Sequence, residues 1–296
     1  MTTPTRATTA GRAYLDLRRK ARQDHRPVDE LMQLYVLECF LARLAGTRFA
    51  DLFVLKGGVL LAAFGERRPT RDIDLQSQAT SNDPAVILAA ITEIAAIGLD
   101  DGVVFDAGTA TAEVISDEDR YPGVRVSMTS RLSTARPGFH VDVSVGDPII
   151  PPPGTVRLPR ILGGDIAVRG YPLTMVHAEK IVTAISRGTT STRWRDFADM
   201  YFLSRHHATS GTELGESIRG VAQYRATPLV PLGRVLTGYG TIGQQRWEAW
   251  RRRQRLDDRL PAQFSDVVAA VVAFADPAIT GTAAGRHWDP ATSARS

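Results

Sequence analysis

The sequence predicts an α+β fold, in which a mixed sheet with flanking helices is followed by a mainly helical part. Between residues 52 and 145, short β-like segments alternate with helix-like ones. A proline-rich stretch over residues 146–164 interrupts that alternation, and beyond it apolar residues recur at the three-to-four spacing of helices. With 296 residues, of which 43% are hydrophobic, the chain can form one large or two modest domains.

The elements of the first half follow from their apolar patterns. Leu31, Leu34 and Leu41 predict an amphipathic helix over residues 29–45. Further predicted helices cover residues 58–64 and 83–97, and predicted strands cover residues 52–55, 72–76, 103–105, 112–115, 124–129 and 139–145. Asp83 and Pro84 are residues that commonly start a helix, which supports the second of these helices.

The second half is expected to be helical after one last strand near residues 166–168. Its predicted helices cover residues 174–187, 194–206, 211–224, 243–255 and 263–274. We therefore predict four parts. They are a basic N-terminal arm or helix (1–26), a sheet-containing core (27–165), a helical domain (166–276) and a flexible tail (277–296).

Composition excludes several classes of protein. Cys39 is the single cysteine, so an intramolecular disulfide and a thiolate metal site are excluded, and a buried, inert thiol is expected. No apolar run approaches the roughly 20 residues that span a bilayer, which favours a cytoplasmic protein without a membrane partner. The net charge of +4 is only mildly favourable for binding a polyanion.

Two segments concentrate the basic charge, residues 18–26 and residues 246–255. In the second, Trp247 and Trp250 stand among arginines, a composition that suits phosphate contacts and base stacking. A solvated helix with its tryptophans turned inward explains the same pattern. The sequence leaves both interpretations open.

A glycine pair and an Asp-x-Asp segment carry the clearest chemical signal. Side chains alternate along a strand, so Asp72 and Asp74 are expected on one face, where they can share metal ions. Gly57 and Gly58 follow the compact ammonium of Lys56 and precede a predicted helix. Backbone N–H groups at a helix start stabilise phosphate oxygens. The segment therefore predicts a site for a metal and a nucleotide triphosphate.

A third carboxylate is expected beside this pair. Alternation in the strand over residues 139–145 places Asp142 on the face opposite its valines, although an exposed strand face carries polar residues for other reasons too. Three carboxylates around Mg²⁺ or Mn²⁺ would form a site for phosphoryl transfer. Arg71 points away from Asp72 by alternation, and it either contacts phosphate or forms a salt bridge.

These residues resemble the nucleotidyltransferase superfamily of the DNA polymerase β type. More narrowly, Lys56-Gly57-Gly58 and Arg71-Asp72-Ile73-Asp74 look like the AbiEii toxins of type IV toxin–antitoxin systems, to which the MenT toxins are similar. Downstream, Lys180 and the segment from Arg193 to Met200 match the family's Lys and Arg-x-Lys-Asp-x-x-Asp-Leu segments, with Arg195 where lysine is usual. The resemblance covers residues 30–205.

The resemblance implies a polymerase β-like core and an enzyme that moves a nucleoside monophosphate from an NTP, with pyrimidine preferred, to the 3′ end of tRNA. It implies a toxin that blocks aminoacylation and translation, with an antitoxin as partner. Asp72, Asp74 and Asp142 would bind metal, and Asp142 would also act as a base. Gly57, Gly58 and Lys180 would hold the triphosphate. Asp196, favoured over Asp199, would anchor the lysine or orient the nucleotide.

Two alternatives remain at this stage. The acceptor could be a protein side chain or a small molecule such as an aminoglycoside. A protein of another class, a non-catalytic regulator that binds nucleotide and retains the fold, fits the same motifs.

Overall fold

The computed structural model describes residues 3–78, 82–116, 122–146 and 148–295, and the chain forms two compact units. The first unit comprises Met1–Gly146 and Pro153–Gly170, and the second comprises Asp147–Pro152 and Tyr171–Ser296.

The first unit has helices before, between and after its early strands. They are α1 (Thr9–Gln23), α2 (Val28–Ala45), α3 (Gly57–Leu60) and α4 (Pro84–Ala95). A 3-10 helix, Leu61–Phe64, continues α3 and ends at Gly65 in the left-handed region. The Asp83 carboxylate accepts a hydrogen bond from the Ala85 N–H at 2.8 Å, with Pro84 in the first position of α4. Asp83 and Pro84 therefore start this helix as predicted.

The described strands of the first unit form one seven-stranded mixed sheet, as predicted. They are β1 (Phe53–Lys56), β2 (Ile73–Ser77), β3 (Val103–Ser116), β4 (Pro122–Leu132), β5 (Gly138–Ser144), β6 (Gly154–Pro159) and β7 (Asp165–Gly170). Their spatial order is β3-β4-β5-β2-β1-β7-β6. The β2–β5 and β1–β7 pairs are parallel and the other neighbours antiparallel.

At both edges of the sheet, the strands cover more residues than the sequence predicted. The two short strands predicted over residues 103–105 and 112–115 are one strand, β3, with a register irregularity between Asp106 and Thr111. Strand β6 was not predicted, because it lies in the proline-rich stretch and most of its residues are exposed.

Helix α2 covers one face of the sheet with an apolar core. Phe40 packs against Phe105 and Phe139, with ring centroids 6.0 and 4.9 Å away. Cys39 is buried, and burial raises the pKa of its thiol above the usual range, so it is held as an inert thiol. A buried ion pair between Arg43 and Asp101 fixes the loop that leads into β3.

The second unit is mainly helical. Its helices are α5 (Leu173–Arg187), α6 (Trp194–His206), α7 (Gly211–Tyr224), α8 (Leu232–Val235), α9 (Tyr239–Arg253) and α10 (Phe264–Ile279). A small sheet in the described residues joins β8 (Thr209–Ser210), β9 (His287–Asp289) and β10 (Ala294–Arg295). No helix in the described part of the chain combines the length and apolar character that a membrane crossing requires.

Aromatic side chains form the centre of the second unit. Phe264 on α10 contacts Trp194, Tyr239 and Trp247 with ring centroids 4.9–5.2 Å apart. A side chain at Gly243 would lie 2.9 Å from both Phe264 and Trp194, so the glycine lets α9 approach closely. Helix α9 begins at Tyr239, whereas the sequence predicted that it would start at Gly243.

Candidate active site

Cross-strand pairing brings charged residues of the central strands into one row. Asp74 on β2 pairs with Lys56 on β1 and with Asp142 on β5. Asp142 pairs in turn with Arg125 on β4, which pairs with Glu113 on β3. Residues directly opposite each other project from the same face of a sheet. The row arises because the intervening apolar residues turn to the other face and into the core.

Asp72 and Asp74 interact electrostatically, and their shared role at a metal stays a prediction. Strand β2 begins at Ile73, so Asp72 directly precedes it, and the Thr70 hydroxyl donates to Asp72 Oδ1 at 3.1 Å. Burial raises the pKa of Asp74 to about 6, and the charges of Asp72 and Asp142 add to that rise. The nearby Lys56 ammonium opposes it. The charges of Asp72 and Asp142 therefore both act on Asp74.

The glycine pair brings the backbone against the carboxylates. Gly57 has a φ of 65°, and a Cβ atom there would lie 1.8 Å from Asp74 Oδ2. The Gly58 N–H donates to Asp74 Oδ2 at 3.4 Å, and a Cβ on Gly58 would lie 2.7 Å from Thr70 Oγ1. Only glycine fits this turn. The turn therefore contacts Asp74, and its contact with phosphate stays a prediction.

Arg125 is the residue of the site that sequence reasoning missed. Its Nε donates to Asp142 Oδ1 and its Nη2 to Asp142 Oδ2, each at 2.7 Å. This hydrogen bonding raises the pKa of the guanidinium further above its ordinary value. The available signal was an arginine between Val124 and Val126, on the polar face of a predicted strand. The register between β4 and β5, which the sequence does not reveal, was needed to pair it with Asp142.

The donor set can be tested against the metal that the sequence predicts. Among the described residues, no group of three or more His, Cys, Asp or Glu side chains is arranged to hold a metal ion. Both Asp142 oxygens accept hydrogen bonds from Arg125. Asp72 and Asp74 nevertheless fit Mg²⁺, which proteins commonly bind with one or two carboxylates and substrate phosphates.

In the second unit, Lys180 joins α5 to α6 through two carboxylates. Its Nζ donates to Asp196 Oδ1 at 2.7 Å and to Asp199 Oδ2 at 2.9 Å. Arg193 also donates to Asp196. Burial would raise the pKa of Asp196, but the Lys180 and Arg193 charges hold it well below its usual range. Asp196 is therefore ionised. Asp199 is a second carboxylate that accepts a hydrogen bond from Lys180.

The remaining predicted positions differ in exposure. Lys56 is half-buried beside Asp74, where its charge opposes the rise in the Asp74 pKa. Arg71 is exposed, and its backbone carbonyl accepts from Gln33 Nε2 at 3.0 Å. Arg195 is exposed as well.

The basic segment on α9 divides into structural and exposed residues. Trp247 is fully buried, and its indole N–H donates to the Pro261 carbonyl at 3.0 Å. Arg251 donates to the Leu260 carbonyl at 2.9 Å, whereas Arg252 and Arg253 are exposed. Trp247 faces inward, which agrees with one of the two interpretations of the sequence. Arg252 and Arg253 form an exposed basic surface.

Solved structures with a similar fold come from Helicobacter pylori. JHP933 aligns with a TM-score of 0.50 and 14% identity, over 86% of this chain and 94% of its own. A second protein, described provisionally as a nucleotidyltransferase, aligns with a TM-score of 0.49 and 12% identity, over 86% of this chain and 97% of its own. A comparison with curated proteins finds no match.

The family of the chain follows from a sequence-family match. Residues 39–277 match the family described as nucleotidyl transferase AbiEii toxin, type IV TA system. The chain belongs to this family of nucleotidyltransferase toxins. The resemblance identified from its motifs is confirmed, and so is the mixed sheet with flanking helices of a nucleotidyltransferase fold.

Proposed function

We propose that this protein transfers a nucleoside monophosphate from an NTP, with a pyrimidine preferred, to the 3′ end of tRNA and requires Mg²⁺ or Mn²⁺. The observation that carries the proposal is the position of Asp74, which pairs with Asp142 across β2 and β5, is affected by the charge of Asp72 and lies against the Gly57–Gly58 turn. The chain is also a member of a nucleotidyltransferase toxin family. A buried carboxylate with a raised pKa beside other charged groups, such as that of Asp74, is typical of functional sites.

Each residue near the sheet has a proposed role. Asp72 and Asp74 hold the metal, and Asp142 joins them and accepts the proton of the attacking hydroxyl. When bound, a divalent metal would neutralise the triphosphate and the leaving pyrophosphate. The 3′ hydroxyl oxygen attacks the α-phosphorus, the bond to the β-phosphate oxygen breaks, and pyrophosphate leaves. Lys56 and Arg71 supply positive charge for phosphate oxygens.

Lys180 is proposed to bind phosphate with its ammonium. A lysine acts on phosphate as a point charge, and Asp196 and Asp199 keep its position fixed through hydrogen bonds of 2.7 and 2.9 Å. The carboxylates also favour the charged form of the amine. Asp196 and Asp199 are therefore positioning residues for Lys180.

The biological consequence follows from the acceptor. A tRNA with added 3′ nucleotides cannot be aminoacylated, so translation in the cytoplasm would stop. An antitoxin encoded with the toxin would prevent this. The family supports an antitoxin partner, and the tRNA acceptor is our proposal.

The test is a set of incubations with α-labelled NTPs. Purified protein and Mg²⁺ would be mixed with total RNA or with total protein from the same cells, and Asp74→Asn would serve as the matched control. We expect label in RNA of tRNA size with the parent and none with the variant. Label in protein alone would contradict the tRNA acceptor, and no label in any fraction would favour the non-catalytic regulator.

A further inference from the structure

We infer that Arg125 competes with the divalent metal for Asp142 and so sets how tightly the site binds metal. The inference rests on the metal-binding part of the proposed function and goes beyond it. It assigns a role in metal affinity to a basic residue on β4. Arg125 is a positioning residue for Asp142.

The contact between Arg125 and Asp142 uses both carboxylate oxygens. Two parallel bonds of 2.7 Å join the guanidinium to Oδ1 and Oδ2. This bidentate geometry is the strongest that an arginine makes with a carboxylate. The Asp142 side chain is only 15% exposed and that of Arg125 35%, so water screens the pair weakly. A metal ion must therefore displace Arg125 to gain the full ligand strength of Asp142.

Charge gives a second reason for competition. The Arg125 guanidinium interacts electrostatically with Asp72 as well as with Asp142. It therefore offsets negative charge on a proposed metal ligand besides the one it touches. A divalent cation near Asp72 and Asp74 would be repelled by that guanidinium while being attracted by the carboxylates.

Glu113 offers Arg125 another partner. It lies directly opposite Arg125 in the β3–β4 register, and its charge already acts on the guanidinium. Opposite charges across neighbouring strands attract each other. When a metal takes Asp142, Arg125 can turn to Glu113 and remain paired. The row Glu113, Arg125, Asp142 therefore allows an exchange without leaving a guanidinium unpaired.

The experiment measures Mn²⁺ binding to the full chain by calorimetry, without NTP or RNA. Replacing Arg125 removes both a competitor for Asp142 and a charge that repels the cation, so we expect Arg125→Gln to bind Mn²⁺ at least about tenfold more tightly than the parent. Arg125→Lys keeps the charge but loses the bidentate fork, and a smaller increase is expected. Arg131→Gln, an exposed position on the same strand, is the matched control and should bind like the parent. Circular dichroism checks that each variant is folded.

A double-mutant cycle separates this mechanism from a general change in charge. Asp142→Asn should remove most of the gain in the Arg125→Gln background, leaving only the part due to charge, and should weaken binding only slightly in the parent. Unchanged or weaker Mn²⁺ binding by both folded Arg125 variants would overturn the inference, as would a gain of the same size in the Asp142→Asn background. Since no nucleotide or RNA is present, failure of the tRNA acceptor would leave these results unaffected.

Discussion

At Gly57 the backbone lies directly against the Asp74 carboxylate. The residue combines a φ of 65° with a position where any Cβ would lie 1.8 Å from Asp74 Oδ2. The sequence predicted a functional glycine here but assigned it to phosphate. The structure adds that the glycine is required for the position of Asp74 itself.

Gly57→Ala is expected to displace Asp74 and to reduce nucleotidyl transfer at least about 100-fold, as small misplacements of reacting groups do. Alanine in the left-handed conformation at residue 57 should also lower the free energy of unfolding by about 1–2 kcal/mol. Gly65→Ala is the control, because Gly65 has a φ of 79° and open space around its Cβ position. Kinetics and denaturant unfolding would compare them. Equal activity of the two variants would contradict the proposed role.

The raised pKa of Asp74 also has a consequence for stability. Its ordinary value is 3.8, and burial and the neighbouring carboxylates raise it to about 6. Between pH 4 and 6, Asp74 is therefore protonated in the folded protein and ionised in the unfolded chain. Stability from this group is present below the unfolded pKa and is lost as the pH rises through the folded one.

Asp74→Asn is therefore expected to stabilise the metal-free protein at pH 7 by about 1–3 kcal/mol while weakening Mn²⁺ binding. The parent should bind Mn²⁺ more tightly as pH rises from 5 to 7, because the proton must leave first. Thermal unfolding and calorimetry at several pH values would measure both. A metal-free variant less stable than the parent at pH 7 would contradict the electrostatic account.

At the scale of elements, regular patterns were predictable and pairings were not. Helix α2 and strands β2 and β5 follow apolar patterns within their own sequences, and the observed bounds are within a residue or two of those predicted. Strand β3 pairs with β4 on both sides of the register irregularity between Asp106 and Thr111, so the two segments predicted separately form one strand. Sequence patterns report which residues are buried, whereas pairing depends on distant strands.

The same limit explains which site residues were found. Asp72, Asp74 and the glycine pair are close in the chain, so their spacing alone indicated a shared site. The Arg125–Asp142 pair depends on the register of β4 with β5, and Arg125 was therefore missed. Lys180 and Asp196 were predicted through the family resemblance, and the structure adds the contact of Asp199 with the lysine.

The link between α5 and α6 should respond to acid. The lowered pKa of Asp196 means that its stabilising effect is present above about pH 4 and is lost as pH falls toward the folded pKa. We expect Asp196→Asn to lower the free energy of unfolding at pH 7 by about 2–3 kcal/mol. Asp165→Asn removes an exposed ion pair with Arg157 and should change it by less than about 1 kcal/mol.

Denaturant unfolding at pH 7 and at about pH 2 would make this comparison, and the difference between parent and Asp196→Asn should shrink at the lower pH. A difference that does not depend on pH would contradict the assignment of the effect to an ionised Asp196.

On helix α9, some arginines are expected to affect RNA binding and another to affect stability. Removing Arg252 and Arg253 together is expected to weaken RNA binding and its dependence on salt, with less than about 0.5 kcal/mol change in stability. Arg251→Ser should instead lower stability by about 1–3 kcal/mol, because it leaves the Leu260 carbonyl without its donor. Filter binding at several salt concentrations and denaturant unfolding would test both. Unchanged RNA affinity of the double variant would contradict an RNA contact on α9.

At the scale of the whole molecule, the family match spans residues from both compact units, from 39 to 277. Asp72, Asp74 and Asp142 belong to the first unit, and Lys180 belongs to the second. The net charge of +4 favours a polyanionic substrate only weakly. The central proposal is therefore chemical: the carboxylates at the sheet are proposed to direct nucleotidyl transfer to tRNA.

Sequencing of cellular RNA 3′ ends after expression of the parent or the Asp72→Asn, Asp74→Asn double variant tests this claim most directly. We predict added nucleotides on tRNA 3′ ends, together with growth arrest, in cells that express the parent. Unmodified tRNA and normal growth are predicted at equal protein levels of the double variant. Growth arrest by the parent with unaltered tRNA 3′ ends would contradict the account, as would equal tRNA extension by both proteins.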